Sequence, residues 1–412
     1  MLTPVDLADP GLYDRGIPQE IFAELRATPG LVWNAIDGDH EDGFWVVTRH
    51  ADVVEVSRDT DTYSSAVGHI QIYDIDEDAL DSRASMIDMD PPIHTRLRRL
   101  VSSAFTPRHV QDYRAAIRER VCAALDGLEA TGAGNWVELV AKPIPIGVIC
   151  DLMGVPEADH DLMIELSDHL VAGTSSSPLP PDAYGNTTPL RLLPFNSPAA
   201  HGINEYALEL GERRRRDPAD DLMTRLIEAE VDGERLTDEE FANFFRLMIF
   251  AGNETTRSSM SHLAIHLVRF SEEFDRVRAD AGLLETVAEE VIRYSSPILY
   301  FRRTATRDCE LAGSAIAAGE KVVMWYSAAD FDEAVFEDPL RFDAARPTPP
   351  ANVAFGGGGA HFCLGASLAR LELVELVDEI LARDLRFELV GEPTYVDSNF
   401  VNGIEHLEVR LL

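Results

Sequence analysis

The chain has 412 residues, 45% of them hydrophobic, and carries 36 basic against 72 acidic side chains for a net charge of −36. So negative a surface would repel a polyanion, which excludes nucleic acid as a partner, and the length alone suggests two or three domains around a large core. Met1 to Pro10 has neither a basic nor an apolar leader pattern, no apolar run approaches the ~18 residues of a membrane span, and four scattered cysteines exclude a disulfide framework and favour a reducing, cytoplasmic setting.

Phe44 to Val47 is a short aromatic and β-branched run that reads as a strand. Asp90-Pro-Pro-Ile-His94 is a turn entering a helix, which puts His94 and Arg98 one turn apart on a shared face. Arg96, Arg98, Arg99 and Arg108 form a basic cluster in an acidic chain; such a cluster is either salt-bridged to nearby acids or open to an anion. Lys142 and Lys321 are the lysines of the chain, so its positive charge is almost all arginine, which suits fixed ion pairs and carboxylate recognition. Apolar residues at three- and four-residue spacing predict helices over 115–128, 238–270, 283–294 and 365–383. Gly173 to Pro198, rich in Pro, Ser and Thr, reads as a long loop, a lid or a linker. A second strand is expected over Lys321 to Trp325. The chain is therefore mainly α with a small β region, an α+β fold with its sheet toward the N-terminus.

Near the middle of the longest helix stands Ala251-Gly-Asn-Glu254-Thr255-Thr256. Gly costs a helix interior ~1 kcal/mol and Thr is a poor helix former, so a purely structural helix gains little from these residues. Such a cluster can open the backbone ladder into a bulge that admits a ligand and water. Glu290 and Arg293 are three apart on a helix face. By themselves they are a commonplace ion pair.

Phe355-Gly-Gly-Gly-Gly-Ala-His361-Phe-Cys363-Leu-Gly365 places one thiol at the end of a glycine loop, just before an apolar helix. Glycine permits close backbone approach to a flat cofactor, and free N–H groups at the helix start favour a thiolate on Cys363. The stretch resembles the signature of the cytochrome P-450 family, Phe-Gly-X-Gly-X-His/Arg-X-Cys-X-Gly, with one glycine added. Ala251–Thr255, Glu290-Val-Ile-Arg293 and Phe342-Asp-Ala-Ala-Arg346 also match family patterns. The motifs run in order from about Asp88 to the C-terminus, whereas the first 60 residues match only loosely.

The resemblance implies a single unit over residues 1–412, a helix-rich triangular prism around a buried haem b. It implies a soluble bacterial haem-thiolate monooxygenase that hydroxylates a hydrophobic small molecule with O₂. The 412 residues carry no reductase or flavin segment, so electrons are expected from a separate ferredoxin or flavodoxin and its NAD(P)H reductase. Cys363 is then the axial iron ligand, and His94, Arg98, Arg303 and His361 neutralise the haem propionates; the remaining arginines of the cluster would dock an acidic donor. Thr255 and Glu254 deliver protons to bound dioxygen. Glu290, Arg293 and Arg346 form a buried network under the haem loop. The pocket walls come from the 65–87 loop with Ile87, the lid, Phe250 and Ala251, Ile298 and Leu299, and a C-terminal turn at Phe400 and Val401. The lengthened glycine loop is similar to that of members oxidising steroid and branched-lipid side chains. Sterol, terpenoid, branched lipid and small aromatic substrates stay open, as do a peroxide-driven enzyme, a haem sensor and a cross-linking or desaturating activity.

Overall fold

The computed structural model describes residues 5–36, 39–74, 85–102, 105–172 and 198–412. The expected lid, Gly173 to Pro198, lies outside the described residues except for Pro198, as does part of the 65–87 loop.

Five strands make the main sheet: β1 (Val32–Ile36), β2 (Asp39–Val47), β3 (Tyr63–Ser64), β4 (Tyr300–Ala305) and β5 (Lys321–Trp325), in the order β1-β2-β5-β4-β3. β2 and β5 pair in parallel, with Trp45 opposite Val322 and Val47 opposite Met324, while the other neighbours are antiparallel. The expected N-terminal sheet is thus completed by strands from residues 300–325. β5 is buried along its whole length. Its side chains alternate between faces as a strand requires: Val323 and Trp325 pack with Phe22, Phe44 and Tyr300, whereas Val322 and Met324 pack with Val47 and Val53.

The helical part is organised around eight segments: α1 (His50–Arg58), α2 (Ile93–Ser102), α3 (Arg114–Thr131), α4 (Pro143–Met153), α5 (His160–Ala172), α6 (Asp238–Arg269), α7 (Leu284–Ser295) and α8 (Ala366–Ala382). Ile117, Val121, Leu125 and Leu128 give α3 one apolar stripe, and all four are buried in the main core. Each such burial contributes roughly 1.5–3 kcal/mol. The helix stops at Gly132, whose φ of +69° suits glycine and lets its N–H close on the Leu128 carbonyl at 2.8 Å.

α6 runs for 32 residues, about 48 Å at the helical rise. Thr237 and Glu240 form a capping box at its start, and Asp238, Glu239 and Glu240 add charge of the favourable sign. Between Phe241 and His266 nearly every side chain of the helix is buried, whichever way it points, so it serves as the axle of the core. No bulge opens at 251–256. The Thr255 hydroxyl instead donates to the Ala251 carbonyl at 2.9 Å, which satisfies it within an unbroken α-helix. Gly252 is needed for packing as well: a Cβ there would lie 2.4 Å from Ile149 Cδ1 on α4.

Candidate active site

A cavity opens between α2, α6, α7, the Cys363 loop and the start of α8, enclosing about 1620 Å³ of empty space with its mouth included. One part is apolar, with Ile87, Phe244, Met248, Phe250, Phe301 and Phe400 in its walls. Cys363, His361, His94 and Arg98 define another part.

Cys363 sits as deep in protein mass as an interior residue yet is accessible, because its open side is the cavity. Its N–H donates to the Phe355 carbonyl at 2.9 Å, closing the loop. Burial pushes the thiol up from its ordinary range; the Gly365 and Ala366 N–H groups, Arg98 and Arg370 act against that without reversing it. The helix start therefore favours the thiolate in the expected direction but does not produce it alone. A metal cation on the sulfur would.

The glycines of this loop serve the protein more than a ligand. A Cβ on Gly359, at φ +79°, would stand 2.6 Å from the Ser57 carbonyl, and one on Gly357 would stand 2.7 Å from Ser57 Oγ. The loop is pressed onto the end of α1, and only a residue without a side chain permits that approach.

Four cation-capable side chains converge beside the thiol. The His94 and His361 rings are 4.1 Å apart between centroids, and Ser65 Oγ lies 3.2 Å from His361 Nε2. Arg98 donates to the Phe362 carbonyl, and buried Arg303 donates to the Arg302 carbonyl at 2.8 Å. Among the described residues neither guanidinium makes an ion pair with a carboxylate, and His94 Nδ1 has no hydrogen-bond partner. Burial, then Arg98 and Arg303, drive His94 down to about 4; burial, then Arg303, His94 and Arg98, drive His361 lower still. Both imidazoles are therefore neutral as the chain stands, and Arg303 is a buried guanidinium with no ion-paired carboxylate among the described residues, a group that gains from the arrival of an anion. A flat dianion whose iron meets Cys363 fits this donor set.

Arg96 and Arg99 are not part of it. Arg96 pairs with Glu240 and Glu234, and Arg99 with Asp232 at 3.0 Å, so the basic cluster divides into paired surface members and an unpaired member at the cavity.

Thr255 lines the cavity, with Ala251, Thr256 and Ser259 from the same face of α6. Glu254 points to the other side and is buried there. Its Oε2 lies 2.5 Å from Arg257 Nη2, Arg257 Nη1 lies 3.5 Å from Asp168 on α5, and Asp168 bonds Lys142 at 2.7 Å. This chain of charges leads from the helix to a partly exposed carboxylate. Burial raises the Glu254 pKa, with Arg257 opposing.

Glu290 is enclosed. Arg293 Nε and Nη2 each donate to it at 2.8 Å, Arg346 Nε at 2.9 Å, and the Asp343 N–H at 2.9 Å. The arginines spend their other N–H groups on the Asp330, Pro339, Glu337 and Arg341 carbonyls. The commonplace helix pair is thus a fully satisfied three-residue network that ties α7 to the 330–346 segment.

Two expected wall residues require correction. Ile298 and Phe400 face the cavity, but Leu299 and Val401 are buried in the core beside the sheet. Ile298 and Val401 pair as an isolated antiparallel bridge, and in extended chain successive side chains take opposite faces. Gln71, Met86 and Glu372 also line the cavity. Glu372 had a signal in the sequence, since it shares a helix stripe with Leu368 and Leu376, each four residues away.

A helix-rich body, an axle helix along an apolar cavity and a single thiol facing two imidazoles and two carboxylate-free guanidiniums define a haem-thiolate class of oxygenase. The family profile described as Cytochrome P450 matches residues 10–390. A steroid C26-monooxygenase of Mycolicibacterium smegmatis is 37% identical, the alignment covering 98% of this chain and 93% of that protein. A methyl-branched lipid omega-hydroxylase of Mycobacterium bovis is 41% identical over 96% of this chain and 91% of its own. A Mycobacterium marinum cytochrome P450 solved in complex with pseudoionone superposes with a TM-score of 0.86 at 37% identity, covering 100% of this chain and 99% of that one. The chain belongs to the cytochrome P450 family. It is a haem b monooxygenase that hydroxylates a hydrophobic small molecule, using electrons from a separate redox partner. The likeness reaches into the first 60 residues, further than the motifs alone carry it. No helix among the described residues is long and apolar enough to cross a membrane.

Proposed function

We propose that this enzyme hydroxylates the branched aliphatic end of a steroid or lipid, with Cys363 holding the haem iron and His94, Arg98, Arg303 and His361 holding its propionates. The observation that carries the cofactor assignment is the thiol beside two imidazoles and two guanidiniums that pair with no carboxylate among the described residues. The substrate class is supported by the apolar wall of Ile87, Phe250, Ala251, Ile298 and Phe400, and by the activities for which the two curated relatives are named. Such a wall binds an aliphatic chain by surface burial, at about 25 cal/mol per Å².

When bound, the haem supplies dioxygen activation, with electron density from its thiolate. The chain's own residues do the rest. Phe250, Phe301 and Phe400 exclude water from the substrate and hold it in place. Thr255, on the cavity face of α6, orients a proton donor there by exchanging its bond to the Ala251 carbonyl for one to cavity water. Glu254, oriented by Arg257 next to the partly exposed Asp168, takes protons from water entering on that side and passes them toward Thr255. Glu290, Arg293 and Arg346 hold the polypeptide beneath the loop. A ferredoxin or flavodoxin with its NAD(P)H reductase is the donor the family's chemistry calls for. The four free cysteines support a reducing, cytoplasmic setting.

The test starts with the CO difference spectrum of the dithionite-reduced protein, in which a strongly red-shifted Soret band is expected. Spin-state titrations then compare a steroid bearing a branched side chain, a methyl-branched fatty acid and a small aromatic. A shift with the first two and none with the third is expected; the reverse order refutes the substrate class. Thr255→Ala should keep haem and substrate binding yet send most reducing equivalents to hydrogen peroxide, a loss of coupling on the order of 10-fold or more. Unchanged product per NAD(P)H removes Thr255 from proton delivery.

A further inference from the structure

Segments from the two ends of the chain meet behind the cavity at one backbone carbonyl. The Ala8 carbonyl accepts the Asn399 side-chain N–H at 2.5 Å and the Tyr73 hydroxyl at 3.0 Å, and Asn399 Nδ2 also donates to the Tyr73 hydroxyl at 2.9 Å. The three groups thus satisfy one another in a closed triangle. Each tethered residue stands beside a cavity wall: Asn399 immediately precedes Phe400, and Tyr73 follows Ile70 and Gln71, all three neighbours lining the cavity. Neither wall lies in a helix or strand, and a loop without a hydrogen-bond ladder depends on such anchors for its position. Each loop is fastened to the sheet region separately. The Arg302 N–H on β4 donates to the Ile70 carbonyl at 2.7 Å, and the Leu299 N–H donates to the Phe400 carbonyl at 2.9 Å. The Ala8 triangle joins the two loops to each other. Its base is firm: the Leu7 N–H donates to Asn34 Oδ1 on β1 at 2.9 Å, and Leu7 and Ala8 are buried in the apolar cluster that also holds Ile70 and Phe400.

We propose that the N-terminal segment is a specificity element of the active site: through the Ala8 carbonyl, Asn399 and Tyr73 act as positioning residues that fix the Phe400 wall to the Ile70–Gln71 wall and so set the affinity for long apolar ligands. The inference rests on the apolar-wall reading of the substrate given above. With the triangle intact, both walls are in place before a ligand arrives, and none of its binding free energy goes into ordering them. With the triangle broken, the walls stand together for only part of the time, and the apparent affinity falls by that fraction. A ligand too short to reach the walls is indifferent to the change.

Imidazole and 1-dodecylimidazole, titrated into the ferric holoprotein, test this directly. Both present the same nitrogen to the iron and differ only in the chain that lies along the walls, and the shift of the Soret band gives a dissociation constant for each. The wild type is expected to bind the dodecyl compound far more tightly. Tyr73→Phe and Asn399→Ala should each weaken dodecyl binding by roughly 10-fold, the scale of a lost buried hydrogen bond, with imidazole binding unchanged. Either change uncouples the walls, so the double variant should fall well short of the product of the two losses. Full dodecyl affinity in both single variants, equal losses for the two compounds, or losses that multiply in the double variant overturns the proposal. Should Asn399→Ala fail to fold, Tyr73→Phe, which removes a single oxygen, decides by itself. A wild type that binds the two compounds equally takes down the apolar-wall reading and this one with it, whereas a chain-length preference that survives both substitutions sinks the N-terminal element alone.

Discussion

Two groups of buried charge flank the cysteine loop, and they are built on opposite plans. The Glu290–Arg293–Arg346 network is closed: one carboxylate faces two guanidiniums, and backbone carbonyls take up most of what remains. The His94–Arg98–Arg303–His361 group is open: two imidazoles that burial keeps neutral stand beside two guanidiniums, and neither arginine is paired with a carboxylate among the described residues. Both cost desolvation. In the first the chain supplies the compensation itself, and in the second it leaves that to a ligand. A buried charge that a protein does not satisfy is therefore the better pointer to function.

The largest effect should come from breaking the closed group. Glu290→Ala leaves two buried arginines without their anion, a loss of roughly 3–5 kcal/mol; haem content on purification and the urea midpoint report it. Normal haem content and an unshifted midpoint would show that the network is dispensable. Next in size is a third arrangement, the group kept neutral. His266 lies among Phe270, Tyr294 and Phe342, its Nδ1 has no partner, and burial lowers its pKa well below 6.5. Above pH 6.5 neither folded nor unfolded chain protonates it. Below that value the unfolded state gains the proton and the folded state does not, so its contribution to stability falls by about 1.4 kcal/mol per pH unit. The stability of His266→Phe relative to the wild type should therefore improve by about 2 kcal/mol between pH 6.5 and 5, measured by urea denaturation at each pH. A constant difference would mean that the ring is charged inside the fold. The smallest effect sharpens the contrast between the first two groups. Arg303→Leu removes one buried cation, so haem should transfer to an excess of acceptor protein about 10-fold faster, equivalent to about 1.4 kcal/mol, while the haem-free chain loses no stability. Destabilisation of the haem-free chain would mean that Arg303 is already satisfied by the protein.

Much of this was readable in the residues because it is local. The thiol at a loop–helix junction, the acidic first turn of α6 and the apolar stripe of α3 each depend on neighbours within a few positions. The strands at Phe44–Val47 and Lys321–Trp325 were legible for the same reason, as short β-branched and aromatic runs, although their parallel pairing joins residues almost three hundred positions apart. Sidedness was not legible. Ile298 and Leu299 are equally apolar, and only the bridge to Val401 decides which of them meets the substrate.

What the sequence determined by itself was the chemistry: one cysteine in a glycine loop, a Glu-Thr pair within a long helix and an acidic chain with few lysines. Tertiary structure alone decided which charges are answered. Arg96 and Arg98 stand two positions apart, and one meets Glu240 while the other meets the cavity. Glu372 and Glu375 lie one turn apart, and only the second meets arginine. Pairing and burial are properties of distant segments brought together, and the free energy of a charge depends on them far more than on its neighbours in the chain.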